Sequence, residues 1–275
     1  MDLNFFSTIF SVAIENRDNY LTDPYLEPWF QNMKYPPILG FGLPRIDEHI
    51  PIVSIGLNPS SCEIKNGHIP ADDEVNDQLI SQINYFKNPY SSWFNKAEDI
   101  INHATGGRVT YGGVYDELSS KPRCTHLDLS PLPTKGMFDS KYGEKNTTQE
   151  SKNRALQMLN NDFELLLLPM LRHLQARHRT HSVLLFGYCP RCPNSNVAGS
   201  MVMKKFWGQQ GNTTRNKFVV SRNGKARGIS WAYGTWHLDD GLKFNIGFLS
   251  QGPSSTAKLD NLNAASENLE MQIER

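Results

Sequence analysis

The chain has 275 residues, with 28 basic and 28 acidic side chains for a formal net charge of zero, and 39% of it is hydrophobic. That length buries a full core and fits one domain, 1–275, with insertions. The balance excludes a protein held to nucleic acid by bulk charge, and four cysteines in so long a chain exclude a disulfide framework.

Residues 1–50 open on Phe5, Phe6, Ile9, Phe10, Ala13 and Ile14 at helical spacing and continue through Pro36-Pro37, which predicts a helical N-terminal cap. Next, residues 51–56 form a short apolar run that empties into Gly56-Leu57-Asn58-Pro59-Ser60. A buried parallel strand is expected there, turning at its carboxyl end, where open α/β sheets place ligands. Asn58 is thereby presented at an active edge, although an ordinary βα turn reads the same way. A helix is predicted over 90–104, with Trp93, Phe94, Ala97, Ile100 and Ile101 on its apolar side.

A second strand, from Cys124 to Leu129, is closed by Ser130-Pro131-Leu132-Pro133. The long helical pattern over 148–178 is interrupted near Pro169. A third strand, Ser182 to Phe186, turns at Gly187, and residues 214–237 alternate around Asn223-Gly224 as a hairpin. The fourth strand, Phe244 to Leu249, leads through Ser250-Gln251-Gly252-Pro253-Ser254-Ser255 into a final helix over 256–273. Strands separated by helices predict a parallel α/β sheet.

Charge is unevenly spread. No Asp or Glu occurs between Leu165 and Leu238, a stretch that carries Arg172, Arg177, Arg179, Arg191, Lys204, Lys205, Arg215, Lys217, Arg222, Lys225 and Arg227. A local polyanion contact is expected of such an interval. Within it, the basic, aromatic insertion 188–240, with Trp207, Trp231, Tyr233 and Trp236, is expected to cover a pocket or bind flanking DNA.

Three strand ends thus present Asn58, Asp128 and the Gly252-Pro253-Ser254-Ser255 turn. In this order they resemble the motifs of the uracil-DNA glycosylase superfamily: Gly56-Leu57-Asn58-Pro59-Ser60 resembles its Gly-x-Asn-Pro-Gly/Ser motif, Leu127-Asp128-Leu129-Ser130-Pro131-Leu132 its base-reading strand, and Gly252-Pro253-Ser254-Ser255 its late His/Asn-Pro-Ser loop. The resemblance spans residues 51–270. It implies a three-layer α/β/α fold with a central four-stranded parallel sheet, here with the N-terminal cap and an inserted β-hairpin region.

It also implies hydrolysis of the bond between a flipped base and its sugar, leaving an abasic site. Asn58 would orient water without taking its proton, so catalysis would lean on leaving-group stabilisation. Asp128 departs from the Asn of the relatives this chain most resembles. A carboxylate accepts from the exocyclic amine of cytosine and faces the uracil 4-oxo group without a donor, so cytosine-type bases are favoured. Cytosine leaves poorly as an anion, and Asp128 would also supply the proton its ring nitrogen needs. The bland alternative is that Asp128 caps the Ser130 turn.

Base contacts are assigned on the same resemblance to Gly56, Leu57, Pro59, Gln251 and Gly252, with Tyr85, Phe86 or Tyr90 as the stacking platform. Phosphate contacts fall to Ser60, Ser254, Ser255 and Lys258, with Ser254 and Ser255 at the start of the last helix. The late loop has Gly252 where some relatives carry histidine, which leaves room for a substituent on the base. A modified cytosine, hydroxymethylated or glucosylated, in phage DNA is the expected substrate, and the alternative is uracil or mismatch repair.

Rival readings are a non-catalytic nucleic-acid binder and a redox pair at Cys189-Pro190-Arg191-Cys192, for which plain thiols are the expectation. A lyase would need an amine, and only Lys258 adjoins the motifs. No metal or cofactor is expected, since the histidines show no zinc spacing. Without an apolar run near the ~20 residues of a membrane span or a basic segment at Met1-Asp2-Leu3-Asn4, a cytoplasmic monomer free of membrane is expected.

Overall fold

The computed structural model describes residues 3–30, 34–46, 48–87, 92–111, 122–134, 142–190, 201–210, 216–238 and 241–273. Helix α1, Leu3–Thr22, buries Phe6, Ile9, Phe10, Ala13 and Tyr20 along one stripe, each large side chain contributing about 1.5–3 kcal/mol. Arg17 is buried on that stripe too, and its guanidinium donates to both Asp73 carboxylate oxygens at 2.7 and 3.0 Å. A short helix α2, Glu27–Phe30, follows.

The N-terminal region is more than a helical cap. Its two-residue strand β1, Gly40–Phe41, pairs antiparallel with β3, Cys124–Asp128. A strand this short carries no periodicity to read, and Gly40 leaves no room for a Cβ, which would meet the His126 carbonyl oxygen at 2.7 Å.

The sheet has seven strands in place of four, in the order β1-β3-β2-β4-β7-β6-β5. Its centre is parallel: β2, Ile52–Gly56, lies between β3 and β4, Ser182–Phe186, and β4 pairs with β7, Lys243–Leu249. The hairpin strands β5, Asn216–Ala226, and β6, Ile229–Leu238, extend the same sheet antiparallel from β7. The predicted insertion therefore continues the sheet. Every residue of β2, β3 and β4 is buried, as expected of parallel strands covered on both sides.

Alternate strand residues fall into two apolar clusters. Val53, Ile55, Val183 and Leu185 lie in one, with α1 and the helices between β3 and β4. Ile52, Cys124, Leu184 and Phe186 lie in the other, with Phe94, Ala97, Ile100 and Ile101 of α5, Ser92–Thr105. Between β2 and α5 come α3, Cys62–Lys65, α4, Val75–Ile83, and a 3₁₀ turn, Tyr85–Lys87.

Of the β2–β3 connection, α5 packs in the second cluster and Leu79 and Ile83 of α4 in the first, where the helices between β3 and β4 also lie. The carboxyl end of β2 is the switch point, where such sheets open a crevice.

The predicted helix over 148–178 is three segments: α6, Gln149–Asp162, a π turn, Phe163–Leu167, and α7, Leu168–His178. Pro169 stands in the first turn of α7, directly after the π turn, whose following Leu168 amide donates to the Phe163 carbonyl. In α8, Met201–Gln210, residues Val202, Met203, Phe206 and Trp207 are buried.

The hairpin turns at Arg227-Gly228, not at Asn223-Gly224. Arg227 and Gly228 have φ of 45° and 89°, the pair of positive values that a tight two-residue hairpin turn requires. Gly224 instead sits under the Trp231 ring, where a Cβ would come within 2.9 Å. The last helix, α9, is Leu259–Glu267, shorter at both ends than predicted. Among the described residues, no helix is long and apolar enough to cross a membrane.

Candidate active site

Strand register brings the first two motifs together. Gly56 is paired with Asp128 at the ends of β2 and β3, and one residue pair earlier on the same face Ser54 is paired with His126. The Asp128 carboxylate lies over Gly56, where any Cβ would come within 2.4 Å of Oδ1. Glycine is required at 56 by this approach rather than by an unusual turn. Asp128 is 5% exposed, so its hydrogen-bond partners are protein groups rather than bulk water.

Past the strands the two loops run side by side. The Leu129 and Ser130 amides donate to the Gly56 and Leu57 carbonyls, and the Ser61 amide donates to the Thr134 carbonyl. Asn58 Nδ2 donates to Thr134 Oγ1 at 2.8 Å and to the Pro59 carbonyl at 3.1 Å. Among the described residues Asn58 Oδ1 has no hydrogen-bond partner, so the amide is anchored through nitrogen and offers an acceptor. Such an oxygen can orient water but cannot remove its proton.

Asp128 does not cap the Ser130 turn, because the Ser130 amide donates to the Leu57 carbonyl instead. The Ser130 hydroxyl donates at 2.6 Å to Asp162, at the end of α6. Asp162 is fully buried, and Tyr20 and Asn16 donate to its other oxygen. Burial pushes its carboxyl up to about 7 against the pull of Ser130, Tyr20 and Asn16. This buried strut fixes the loop that holds Asn58.

Two polar side chains beside Asp128 escaped the sequence analysis. Glu63 on α3 is buried and accepts from the Tyr85 hydroxyl. Burial pushes its carboxyl above the usual range; the Asp128 charge adds to this, and the Tyr85 bond and His68 oppose it. His126 Nε2 is 3.4 Å from Asp128 Oδ1, and its Nδ1 is 2.8 Å from Ser54 Oγ, itself 2.8 Å from the Tyr111 hydroxyl. Period two on β3 puts His126 and Asp128 on one face, a signal available in the sequence; nothing local marked Glu63.

The aromatic platform is also corrected. Phe86 is completely buried and Tyr85 is 3% exposed, and both are packed into a cluster with Phe94. Tyr90 lies outside the described residues. Trp93, read from sequence as helix core, is half-buried at the start of α5, its ring 4.8 Å from His126 and 6.0 Å from Phe186. It is the described ring that combines partial exposure with contact to the Asp128 neighbourhood.

The late loop reaches the same strand edge but not the same arrangement. Phe186 pairs with Leu249 at the ends of β4 and β7, and Gly252 follows with its Cα against the Phe186 side chain, where a Cβ would stand at 3.0 Å. Gly252 and Pro253 are buried, Gln251 half-buried, and Ser254 and Lys258 exposed. Helix α9 begins at Leu259 with Lys258 at its N-cap and no side-chain cap bond. Ser254 and Ser255 are therefore not at a helix start; a turn from Gly252, closed by the Ser255 amide, intervenes. Ser60 is exposed, and its hydroxyl accepts from the Cys62 amide at 3.2 Å.

The insertion's aromatics divide. Trp207 and Trp236 are completely buried with Phe163, Phe218 and Phe244, so they build core rather than cover a pocket. Trp231 and Tyr233 are half-buried on the other face. Of the basic residues, Arg222 is committed to Glu270 and the Leu269 carbonyl. Cys189, expected as a thiol, is disulfide-bonded, whereas Cys62 and Cys124 are free; Cys192 lies outside the described residues. Among the described residues no three His, Cys, Asp or Glu side chains are grouped to hold a metal ion.

No protein-family model matches this chain, and no curated protein sequence matches it. The glycosylase resemblance rests on the residues described above.

Proposed function

We propose that the protein is a monofunctional DNA glycosylase that flips a cytosine-type base, with a hydroxymethylated or glucosylated cytosine in phage DNA as the favoured substrate, and hydrolyses its bond to the sugar. The observation that carries the reading is the Gly56–Asp128 pairing, which lays a buried carboxylate over a glycine beside the Asn58 loop. In this reading the protein has the three-layer α/β/α arrangement with four parallel strands at its heart. The two apolar clusters and the parallel pairing of β3, β2, β4 and β7 support it.

Asp128 accepts from the exocyclic amine of the extruded base, Trp93 stacks against the base, and Asn58 Oδ1 orients the water that attacks the sugar carbon. The bond between base and sugar breaks with its electrons going to the base, so a proton at the ring nitrogen and a preorganised polar wall lower the barrier. DNA is the partner, and no cofactor enters the reaction. The protein acts as a cytoplasmic monomer in this account.

The test is excision from oligonucleotides carrying uracil, cytosine, hydroxymethylcytosine or its glucosylated form, read as alkali-labile abasic sites. Turnover of the modified cytosines supports the proposal; turnover of uracil alone removes the cytosine assignment. Asp128→Asn exchanges an acceptor for a donor and lowers excision of cytosine-type bases about 10- to 100-fold, equivalent to the ~1–3 kcal/mol of an unpaired buried polar group. A gain on uracil should accompany that loss.

A further inference from the structure

Cytosine needs a proton to leave, and a lone carboxylate in the reading position has none to give. The structure puts a candidate donor behind it. We propose that His126 is a positioning residue that keeps a proton on the Asp128 pair, and that this proton passes through Asp128 to the ring nitrogen of the departing base. This rests on the glycosylase reading above.

The geometry has three parts. First, His126 Nε2 and Asp128 Oδ1 are 3.4 Å apart with both side chains almost wholly buried, so a charge on one is answered by the other rather than by water. That separation is an ion-pair distance, and a few tenths of an ångström of closure on substrate binding makes it a hydrogen bond.

Second, Ser54 Oγ lies 2.8 Å from His126 Nδ1 and 2.8 Å from the Tyr111 hydroxyl. The serine hydroxyl accepts from Nδ1–H of an imidazolium and donates to Nδ1 of a neutral ring, so it serves both protonation states. Third, the His126 ring lies 4.8 Å from Trp93, 5.4 Å from Phe94 and 6.0 Å from Phe41, an aromatic surround that holds the imidazole in place.

Among the described residues, the groups facing the pair come from four elements and the Tyr111 segment. From β2 comes Ser54, with Tyr111 behind it; α5 contributes the rings of Trp93 and Phe94, and β1 that of Phe41. The charged neighbour is Glu63 from α3, which acts on Asp128 and is itself bonded to Tyr85 and near His68. Cys124, two residues before His126 on the same strand face, is buried and its thiol is pushed up to about 12, so it stays neutral.

The step balances. The sugar–base bond breaks with its electron pair going to the base, the proton on Asp128 moves to the base ring nitrogen, and His126 has returned its own proton to Asp128. Water adds its hydroxyl to the sugar carbon, and its remaining proton restores the His126–Asp128 pair. The base leaves neutral.

The test is single-turnover excision of a modified cytosine from an oligonucleotide between about pH 5 and 9, with DNA affinity measured alongside. The wild-type rate falls as pH rises, because the pair loses its proton. His126→Gln keeps a neutral hydrogen bonder, retains DNA affinity, loses about 100-fold or more in rate and loses the alkaline fall. Ser54→Ala, a smaller change, removes the Nδ1 partner of either protonation state and lowers the rate about 10-fold with DNA affinity kept, and it decides the matter if His126→Gln does not fold.

A His126→Gln protein with the wild-type rate and pH profile, or a Ser54→Ala protein with the wild-type rate, overturns the role of His126 while leaving the glycosylase reading intact. Wild-type protein that excises no base from any oligonucleotide overturns both.

Discussion

At the β2–β3 end of the strand edge, Asp128 and His126 are buried, Gly56 admits nothing larger, and Asn58 is tied through its nitrogen to the next loop. At the β7 end, Ser254 and Lys258 are exposed, and the helix they were expected to open starts later. The two ends resemble glycosylase motifs comparably in sequence. They differ in how many independent contacts fix each side chain, and fixed polar groups are what a preorganised site needs. The first end is held by buried, multiply bonded side chains; the second presents exposed ones.

The largest test of that contrast is Asn58→Ala, which leaves the backbone loop bonds in place and removes the water-facing oxygen. Abasic-site formation should drop about 100-fold or more with DNA affinity kept; a variant with wild-type turnover would erase the contrast.

Gly56→Ala asks whether packing is as tight as the geometry says. Its Cβ would fall 2.4 Å from Asp128 Oδ1, so the carboxylate must move. A loss of about 1–3 kcal/mol in stability is expected from such overpacking, together with reduced excision. Denaturant unfolding and turnover measured on the same preparation check both.

Asp162 sharpens the comparison by pH. Its carboxyl is raised in the fold, to about 7, from an unfolded value near 4, so folding binds a proton there. Stability from this group is full below about pH 4 and is lost as pH rises through about 7. Asp162→Asn should flatten that decline, and thermal unfolding at about pH 5 and pH 8 measures it, with a wild-type difference of roughly 5 °C or more attributable to this group. An equal decline in the variant would show that other groups dominate.

The smallest effect is expected at the other end. Ser254→Ala and Lys258→Ala remove exposed groups and should change excision within about threefold, with any loss appearing in DNA affinity and growing weaker at high salt. A hundredfold loss in turnover from either would make the late loop part of the chemistry and break the contrast.

Much of the fold was legible. The strands at 52–56, 124–128, 182–186 and 243–249 and the helix from Ser92 fall within a residue or two of the apolar runs that predict them, because hydrophobic spacing reports burial directly. The hairpin strands were legible too, but not their turn: Asn223-Gly224 has the favoured residue types, while the strand pairing put positive φ at Arg227 and Gly228. The Trp207 and Trp236 rings read as a binding surface by composition, and only packing against Phe163 and Phe244 made them core.

The sequence by itself determined which segments are strands and helices and that Asn58 and Asp128 stand at strand ends, since periodicity and Gly-Pro punctuation are local properties. Tertiary structure alone decided that the cap contributes a strand, that Glu63 comes beside Asp128, and that Ser54 and His126 form a chain with Tyr111. The reason is that hydrogen-bond register and the crossing of loops are set by contacts between residues far apart in the chain. Period two on β3 marks His126 beside Asp128, but no local pattern encodes the arrival of Glu63 from another element.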